Sequence, residues 1–217
     1  MSTPTAPSAF PWRVRTPTII RAMGAPYVDA FFKTGALRIS SFEAFRTHPN
    51  ELRRDEHEGM ATMEIHAPQS RLSAVAINGQ EAYVLCASLH EPVLAPGEQG
   101  LVIDDTVAFA AAIAGVLPGA IGGTEGPCVY RDDTRYTATD NHAFTPPQDG
   151  EDLDAWADRH ERVLGRHMQN ALFIKHARYA HEREYRMIWF CSGTRQPYID
   201  ILCPQAVAFC RRLHGPA

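Results

Sequence analysis

The densest chemistry in this chain lies in Phe173-Ile-Lys-His-Ala-Arg-Tyr-Ala-His-Glu-Arg-Glu-Tyr-Arg-Met-Ile-Trp-Phe190. In an extended strand alternate side chains share a face, which groups Glu182, Glu184 and Arg186 and sets Tyr185, Met187 and Trp189 opposite them on the core side. Two carboxylates and a guanidinium on one face can grip a polar ligand and shift each other's pKa, or form a solvated salt-bridge ladder on an edge strand. A second charged run, Asn50 to Gly59, holds Asp55, Glu56 and Glu58 with almost no apolar residue. It reads either as a solvated loop or as a site loop held by a rigid scaffold. Asp55, Glu56, Glu58 and Lys175 also supply the acidic-plus-lysine set of a Mg²⁺-dependent nuclease, without the tight ordered motif such a site has. His160 and His167 stand seven residues apart, two helical turns, rather than at the i, i+4 spacing of a zinc helix; both read as helix-face histidines, and no metal site is assigned. The chain has no phosphate-binding glycine loop, no nucleophile elbow and no H-E-x-x-H.

The elements that must position these residues follow from pattern and punctuation. At 217 residues, 45% hydrophobic and 21% charged, the chain suits one globular domain after a loose, Pro-, Ser- and Thr-rich arm over residues 1–15. A net charge of -4 argues against indiscriminate coating of nucleic acid, and no apolar run nears the ~20 residues that span a bilayer. The N-terminus lacks the pattern of a signal peptide, and five scattered cysteines without a C-x-x-C read as reduced thiols, so a cytoplasmic protein is expected. Strands are predicted at Thr16 to Met23, Leu37 to Ser40, Ala61 to Ala67, Arg71 to Ile77, Ala82 to Ser88, Leu101 to Ile103, Cys128 to Tyr130, Glu184 to Phe190 and Tyr198 to Leu202. Asn78-Gly79 marks a hairpin, and Gly122-Gly123 with Gly126-Pro127 marks a break. Helices are predicted at Tyr27 to Lys33 (opened by Pro26, stopped by Gly35), after Ser41, at Val107 to Val116, at Asp152 to Ala171 and at Pro204 to Leu213. Thr137 to Gly150 reads as a long polar loop. The sum is an α+β fold, a mixed and largely antiparallel sheet flanked by several helices over residues 16–217. In it the first two strands need Glu184 to Phe190 as a long-range partner. Arg38 or Arg46 is expected to pair with an acid between Asp55 and Glu58.

Five blocks occur in order: Ile20-Arg21, Phe32-Lys-Thr-Gly-Ala-Leu-Arg-Ile-Ser-Ser41, Asp55-Glu-His-Glu-Gly59, Val129-Tyr130, and Phe173-Ile-Lys175 with Glu182-Arg-Glu-Tyr-Arg186. Together they resemble the DUF2971-like group of bacterial α+β proteins, found near mobile or defence genes; the group's central Trp-x-x-Tyr-Gly block is missing here. More distantly the arrangement resembles the ADP-ribosyltransferases. That resemblance implies NAD as substrate, gripped by Arg21 or Arg38 with Ser40 and Ser41, with Arg46 and Arg186 nearby, and Glu182 and Glu184 as the catalytic pair. A fixed carboxylate is complementary to the positive charge that builds on ribose as the nicotinamide bond breaks. It further implies an NAD-cleaving toxin or phage-defence effector with a protein or nucleic-acid acceptor. The competing expectations are a non-catalytic sensor or interaction domain, in which Glu182, Glu184 and Arg186 form a structural ion network, and the nuclease.

Overall fold

The computed structural model describes residues 12–13, 17–49, 55–67, 70–77, 82–133, 135–139, 145–147, 149–193 and 196–215. In chain order the elements are β1 (Trp12–Arg13), β2 (Ile19–Gly24), α1 (Ala25–Thr34), β3 (Ala36–Ser41), α2 (Phe42–Arg46), β4 (Met60–Ala67), β5 (Ser70–Ile77) and β6 (Ala82–Ser88). Then come β7 (Glu98–Ile103), α3 (Thr106–Ala114), β8 (Ala120–Pro127), β9 (Val129–Arg131), β10 (Arg135–Thr139), α4 (Leu153–Ala171) and β11 (Ile174–His176). A 3-10 turn at Ala177–Glu182 leads into β12 (Glu184–Cys191) and β13 (Tyr198–Leu202), and a second at Pro204–Phe209 leads into β14 (Cys210–His214). The fold is α+β, with a large, mostly antiparallel sheet and several helices.

Local chemistry sets the element ends. Pro26 occupies the first turn of α1, and Gly35 closes it in the left-handed region at φ 76°. Any side chain at Gly35 would also run into the backbone of Cys203. Ser41, Asp105 and Asp152 cap α2, α3 and α4, each accepting the amide three residues on, at 3.3, 2.9 and 2.7 Å.

The nine-stranded sheet runs β1-β8-β12-β6-β2-β7-β14, with β3 also on β6 and β13 on β3. One edge of β6 is taken along its length by β12. Its other edge is divided: Ser88 pairs with Ile20 of β2, whereas Tyr83 and Val84 pair with Ser41 and Ser40 of β3. The sheet therefore forks at β6, and α1 bridges the two prongs. Cys86 lies between the paired stretches, and its carbonyl oxygen is taken by Arg21 Nη1 at 2.9 Å. A side chain thus supplies the hydrogen bond that a continuous ladder would have made.

Both faces of the sheet are covered. On one, Tyr185, Met187 and Trp189 pack with Phe31, Phe109 and Ile113 from α1 and α3, and Trp189 Nε1 donates to the Ala110 carbonyl at 3.0 Å. On the other, Ile188, Val84 and Ala82 meet Phe42 and Leu172.

Several elements differ from the sequence expectation. The glycines at 122, 123 and 126 do not break the chain but lie within β8, between β12 and β1. The ring of Phe173 lies 3.4 Å from where a Cβ on Gly126 would sit, a close approach that a strand glycine permits. The strands flanking Asn78-Gly79 do not pair with each other: β5 pairs with β4 in a three-stranded sheet with β10, and β6 belongs to the main sheet. Residues 78–81 lie outside the described residues. The start of the expected 137–150 loop is the end of β10, parallel to β4. The expected last helix is a 3-10 turn followed by β14, which covers the outer edge of β7. Within the expected loose arm, Trp12–Arg13 pairs in parallel with Gly123 and Thr124. The two early strands and Glu184 to Phe190 do share one sheet, as expected.

Candidate functional site

Strand β12 enters the protein with a charged side chain on each of its first two residues facing away from the Tyr185–Trp189 core. Glu184 and Arg186 point into a closed cluster rather than to solvent. Arg186 is fully buried, its Nε donating to Glu184 Oε1 at 2.5 Å and its Nη1 to the Leu172 carbonyl at 2.5 Å. Its Nη2 meets the carboxylate of Glu58, and its guanidinium lies 5.6 Å from the centre of the Phe42 ring. Lys175 from β11 closes the other side: its Nζ donates to Glu184 Oε2 at 2.5 Å and to Glu182 at 2.7 Å, with Glu58 at 4.0 Å. The Glu184 amide donates to the Tyr130 hydroxyl at 2.7 Å, and the Cys128 thiol donates to Glu184 Oε1 at 3.6 Å. Both oxygens of Glu184 are therefore taken by buried cations.

The electrostatics follow from this packing. Burial pushes the Glu184 carboxyl up, but Arg186 and Lys175 outweigh it and hold it well below the usual carboxylate range. Burial also opposes the charge on Lys175, and the carboxylates of Glu184 and Glu58 more than offset it. Glu58 behaves otherwise: burial, aided by the negative charge of Glu184 and Asp55, pushes it up to about 7 despite Arg186 and Lys175. Burial also raises the thiols of Cys86 and Cys128 well above the ordinary range, so neither is a thiolate nucleophile.

Around the cluster the loop from Asp55 to Glu58 is buried at both ends, which makes it a packed lid on the cluster rather than a solvated run. Asp55 Oδ1 accepts the His57 amide at 3.2 Å, and Arg46 Nη1 donates to the Glu58 carbonyl at 2.8 Å. The expected pairing of Arg46 with an acid of this loop thus exists only to its backbone. Arg38 pairs elsewhere. Glu182 belongs to the 3-10 turn and not to β12; Arg183, at φ 45°, reverses the chain between them, and Glu182 reaches the cluster only through Lys175. Among the described residues no group of three or more His, Cys, Asp or Glu is arranged to hold a metal ion. Of the acids named for a nuclease, Glu58 faces Arg186 and Lys175, Asp55 accepts a backbone amide, and Glu56 is exposed.

A second site opens at the fork of the sheet. A pocket of about 490 Å³ is lined by Arg21, Tyr27, Arg38, Ser40, Glu98 and Asp200, with apolar floor from Leu37 and Ile201. Arg38 and Asp200, opposite each other in the β3–β13 register, form a two-point pair at 2.7 and 2.8 Å. The Arg38 guanidinium also lies 4.1 Å from the centre of the Tyr198 ring. Arg21 is held less symmetrically, since its Nε is buried without a hydrogen-bond partner. Tyr27 stands 72% exposed on the rim.

The pocket thus gathers Arg21, Arg38 and Ser40, while Glu184, Arg186, Glu58 and Lys175 gather in the closed cluster. Ser41 is in neither: its hydroxyl caps α2. Asp200, Glu98, Tyr27 and Tyr130 were not singled out as site residues. The alternation of Tyr198, Asp200 and Leu202 was the available signal for Asp200, since it puts a lone acid on an otherwise apolar exposed face. His160 stacks on Trp156 with ring centres 4.2 Å apart, and His167 bonds the Tyr136 hydroxyl at 2.9 Å, so both are committed within the fold.

No protein-family model matches the chain, and neither a curated protein nor a solved structure matches it. No described helix is long and apolar enough to cross a membrane.

Proposed function

We propose that the chain is a small-molecule-binding domain whose ligand site is the pocket at the fork, and that the cluster around Glu184 is a structural brace rather than a catalytic centre. One observation carries this reading: Arg21, Arg38 and Ser40 line an open pocket, whereas Glu184 lies outside it with both oxygens held by Arg186 and Lys175. A pocket of this volume suits a drug-sized molecule. Two guanidinium groups favour an anionic group on the ligand, and the exposed Tyr27 ring offers a stacking surface for a planar base, so a nucleotide is the chemical class that fits. Arg38 is free to turn from Asp200 to a phosphate because the pair is exposed and therefore weak.

The NAD-cleaving reading, with its toxin or defence role and its acceptor, has one observation in its favour. Arg21 lines the pocket and also feels the charge of Glu184 across the fork. It requires Glu184 to leave two buried cations before it reaches a ribose.

Titration of NAD, ADP-ribose and AMP into the protein by calorimetry, with free nicotinamide measured in parallel, tests both readings. The binding reading expects saturable binding that Arg38→Gln weakens about tenfold, the loss of one charge-assisted contact, with no nicotinamide released. Absence of binding to all three, or binding that Arg38→Gln leaves unchanged, overturns it. Nicotinamide release that Glu184→Gln abolishes at unchanged stability establishes the second reading instead.

A further inference from the structure

The short parallel pair β9 and β11 divides its side chains between two sites. In register, Tyr130 sits beside Lys175, and both turn to the Glu184 cluster. The residues at the alternate positions, Val129 and Ile174 together with Arg131, line a different space on the opposite face. That space is a cleft of about 490 Å³ between β8, β9, β10 and the end of α4. Its floor is apolar: a ring edge of Phe173 lies 3.4 Å from where a Cβ on Gly126 would sit, with Pro127 and Ile174 beside it.

Thr124 and Glu125 line the cleft from β8, where Glu125 Oε1 accepts the Thr106 hydroxyl at 3.1 Å; the other polar groups come from β9, β10 and α4. Asn170 Nδ2 donates to the Tyr136 hydroxyl at 3.1 Å, and the same hydroxyl meets His167 Nδ1 at 2.9 Å, so the phenol is fixed from two sides. Arg131 Nη1 donates to the Arg135 carbonyl at 2.9 Å, which orients a guanidinium that is otherwise exposed at the mouth. An apolar bed, one oriented cation and a fixed hydroxyl, enclosed in a ligand-sized cavity, make a recognition set for a molecule with an apolar body and one negative end.

We propose that this cleft is a second ligand site, distinct from the pocket at the fork, which binds a small aromatic monocarboxylate. The ring rests on Phe173, and the carboxylate pairs with Arg131 beside the Tyr136 hydroxyl. A single cation matches a carboxylate better than a pyrophosphate, and the Phe173 ring lining the cleft offers an aromatic surface to a flat ring.

Phenylacetate, with phenylacetamide as the uncharged control, is the probe, read by saturation-transfer NMR and calorimetry on the full chain. Val129 is 49% exposed at the mouth, so Val129→Trp fills the cleft without disturbing the core, and circular dichroism and the melting curve confirm the fold. The expected result is saturable phenylacetate binding that is lost in Val129→Trp. Arg131→Gln weakens it about tenfold and Tyr136→Phe about threefold, and the amide binds at least tenfold more weakly than the acid. Nucleotide binding at the fork stays unchanged in Val129→Trp, so failure here is separable from failure there. Absence of phenylacetate binding at millimolar concentration, or binding that Val129→Trp and Arg131→Gln leave intact, overturns the proposal.

Discussion

Two arginine–carboxylate pairs in this protein have similar contact distances and opposite consequences. Arg38 and Asp200 meet at 2.7 Å with side chains 58% and 62% exposed, whereas Arg186 and Glu184 meet at 2.5 Å with side chains 0% and 6% exposed. In water the first pair contributes little, because solvent screens it and two long side chains must be ordered. The second pair is bound into a set of buried charges, so that removing one member strands the others in a low-dielectric interior. The exposed pair can therefore be opened by a ligand, while the buried one holds strands β11 and β12 to the 55–58 loop. Chemistry that looks alike in sequence is separated by the burial of the strand that carries it.

The comparison breaks most sharply at Arg186. Arg186→Met takes from Glu184 and Glu58 one of the two buried cations they share, leaving Lys175, and should lower stability by about 3–5 kcal/mol, read by chemical denaturation. If it unfolds no more easily than the unmodified protein, the brace does not exist. The pH dependence comes next. Glu58 titrates above its ordinary value of 4.5, at about 7, so the folded chain holds that proton more tightly than the unfolded one. This contribution is complete below about pH 4.5 and is lost as pH rises through about 7, on the order of 1–3 kcal/mol. Glu184 has the opposite sign: its depressed value costs stability as pH falls below the carboxylate range. Melting curves should therefore peak in mildly acidic buffer and decline toward pH 8, and Glu58→Gln should flatten that decline. An unchanged slope in Glu58→Gln would locate the titrating group elsewhere. The smallest effect belongs to the exposed pair: Asp200→Asn should change stability by less than about 1 kcal/mol. By releasing Arg38 it should tighten nucleotide binding at the fork, measured by calorimetry; weaker binding would mean that Asp200 itself touches the ligand.

Much of this was legible from residues alone, for local reasons. Pro26 and Gly35 bound α1, Ser41 caps α2, and the alternation of Tyr185, Met187 and Trp189 names the core face of β12. These signals depend on neighbours within a few residues. What failed depends on distant ones. Gly122, Gly123 and Gly126 look like a turn until Trp189 and Phe173 supply the surfaces that let a bare strand lie between neighbours. Pro204 to Leu213 has helical composition, but the open edge of β7 claims Cys210–His214 as a strand. The acidic loop carries every mark of a solvated run, and only Arg186, more than a hundred residues away in the chain, makes a buried position for Glu58 possible. Placing Glu182 on the strand with Glu184 missed the left-handed Arg183, a conformation rare outside glycine and invisible in composition. The transferase resemblance requires Glu184 and an early arginine, Arg21 or Arg38, in one cleft. The fork in the sheet puts them on different sides of β6, and no periodicity within one strand records a fork.

The central claim, that Glu184 holds the fold together rather than acting on a ligand, is tested most directly by thermal unfolding of Glu184→Gln at pH 7. The amide keeps the size of the side chain but leaves Lys175 and Arg186 short of a buried negative charge. The account predicts a loss of about 2–3 kcal/mol, seen as a melting temperature lower by roughly 5–10 °C, with nucleotide binding at the fork retained. A melting temperature that does not move, together with lost turnover of NAD, would contradict it.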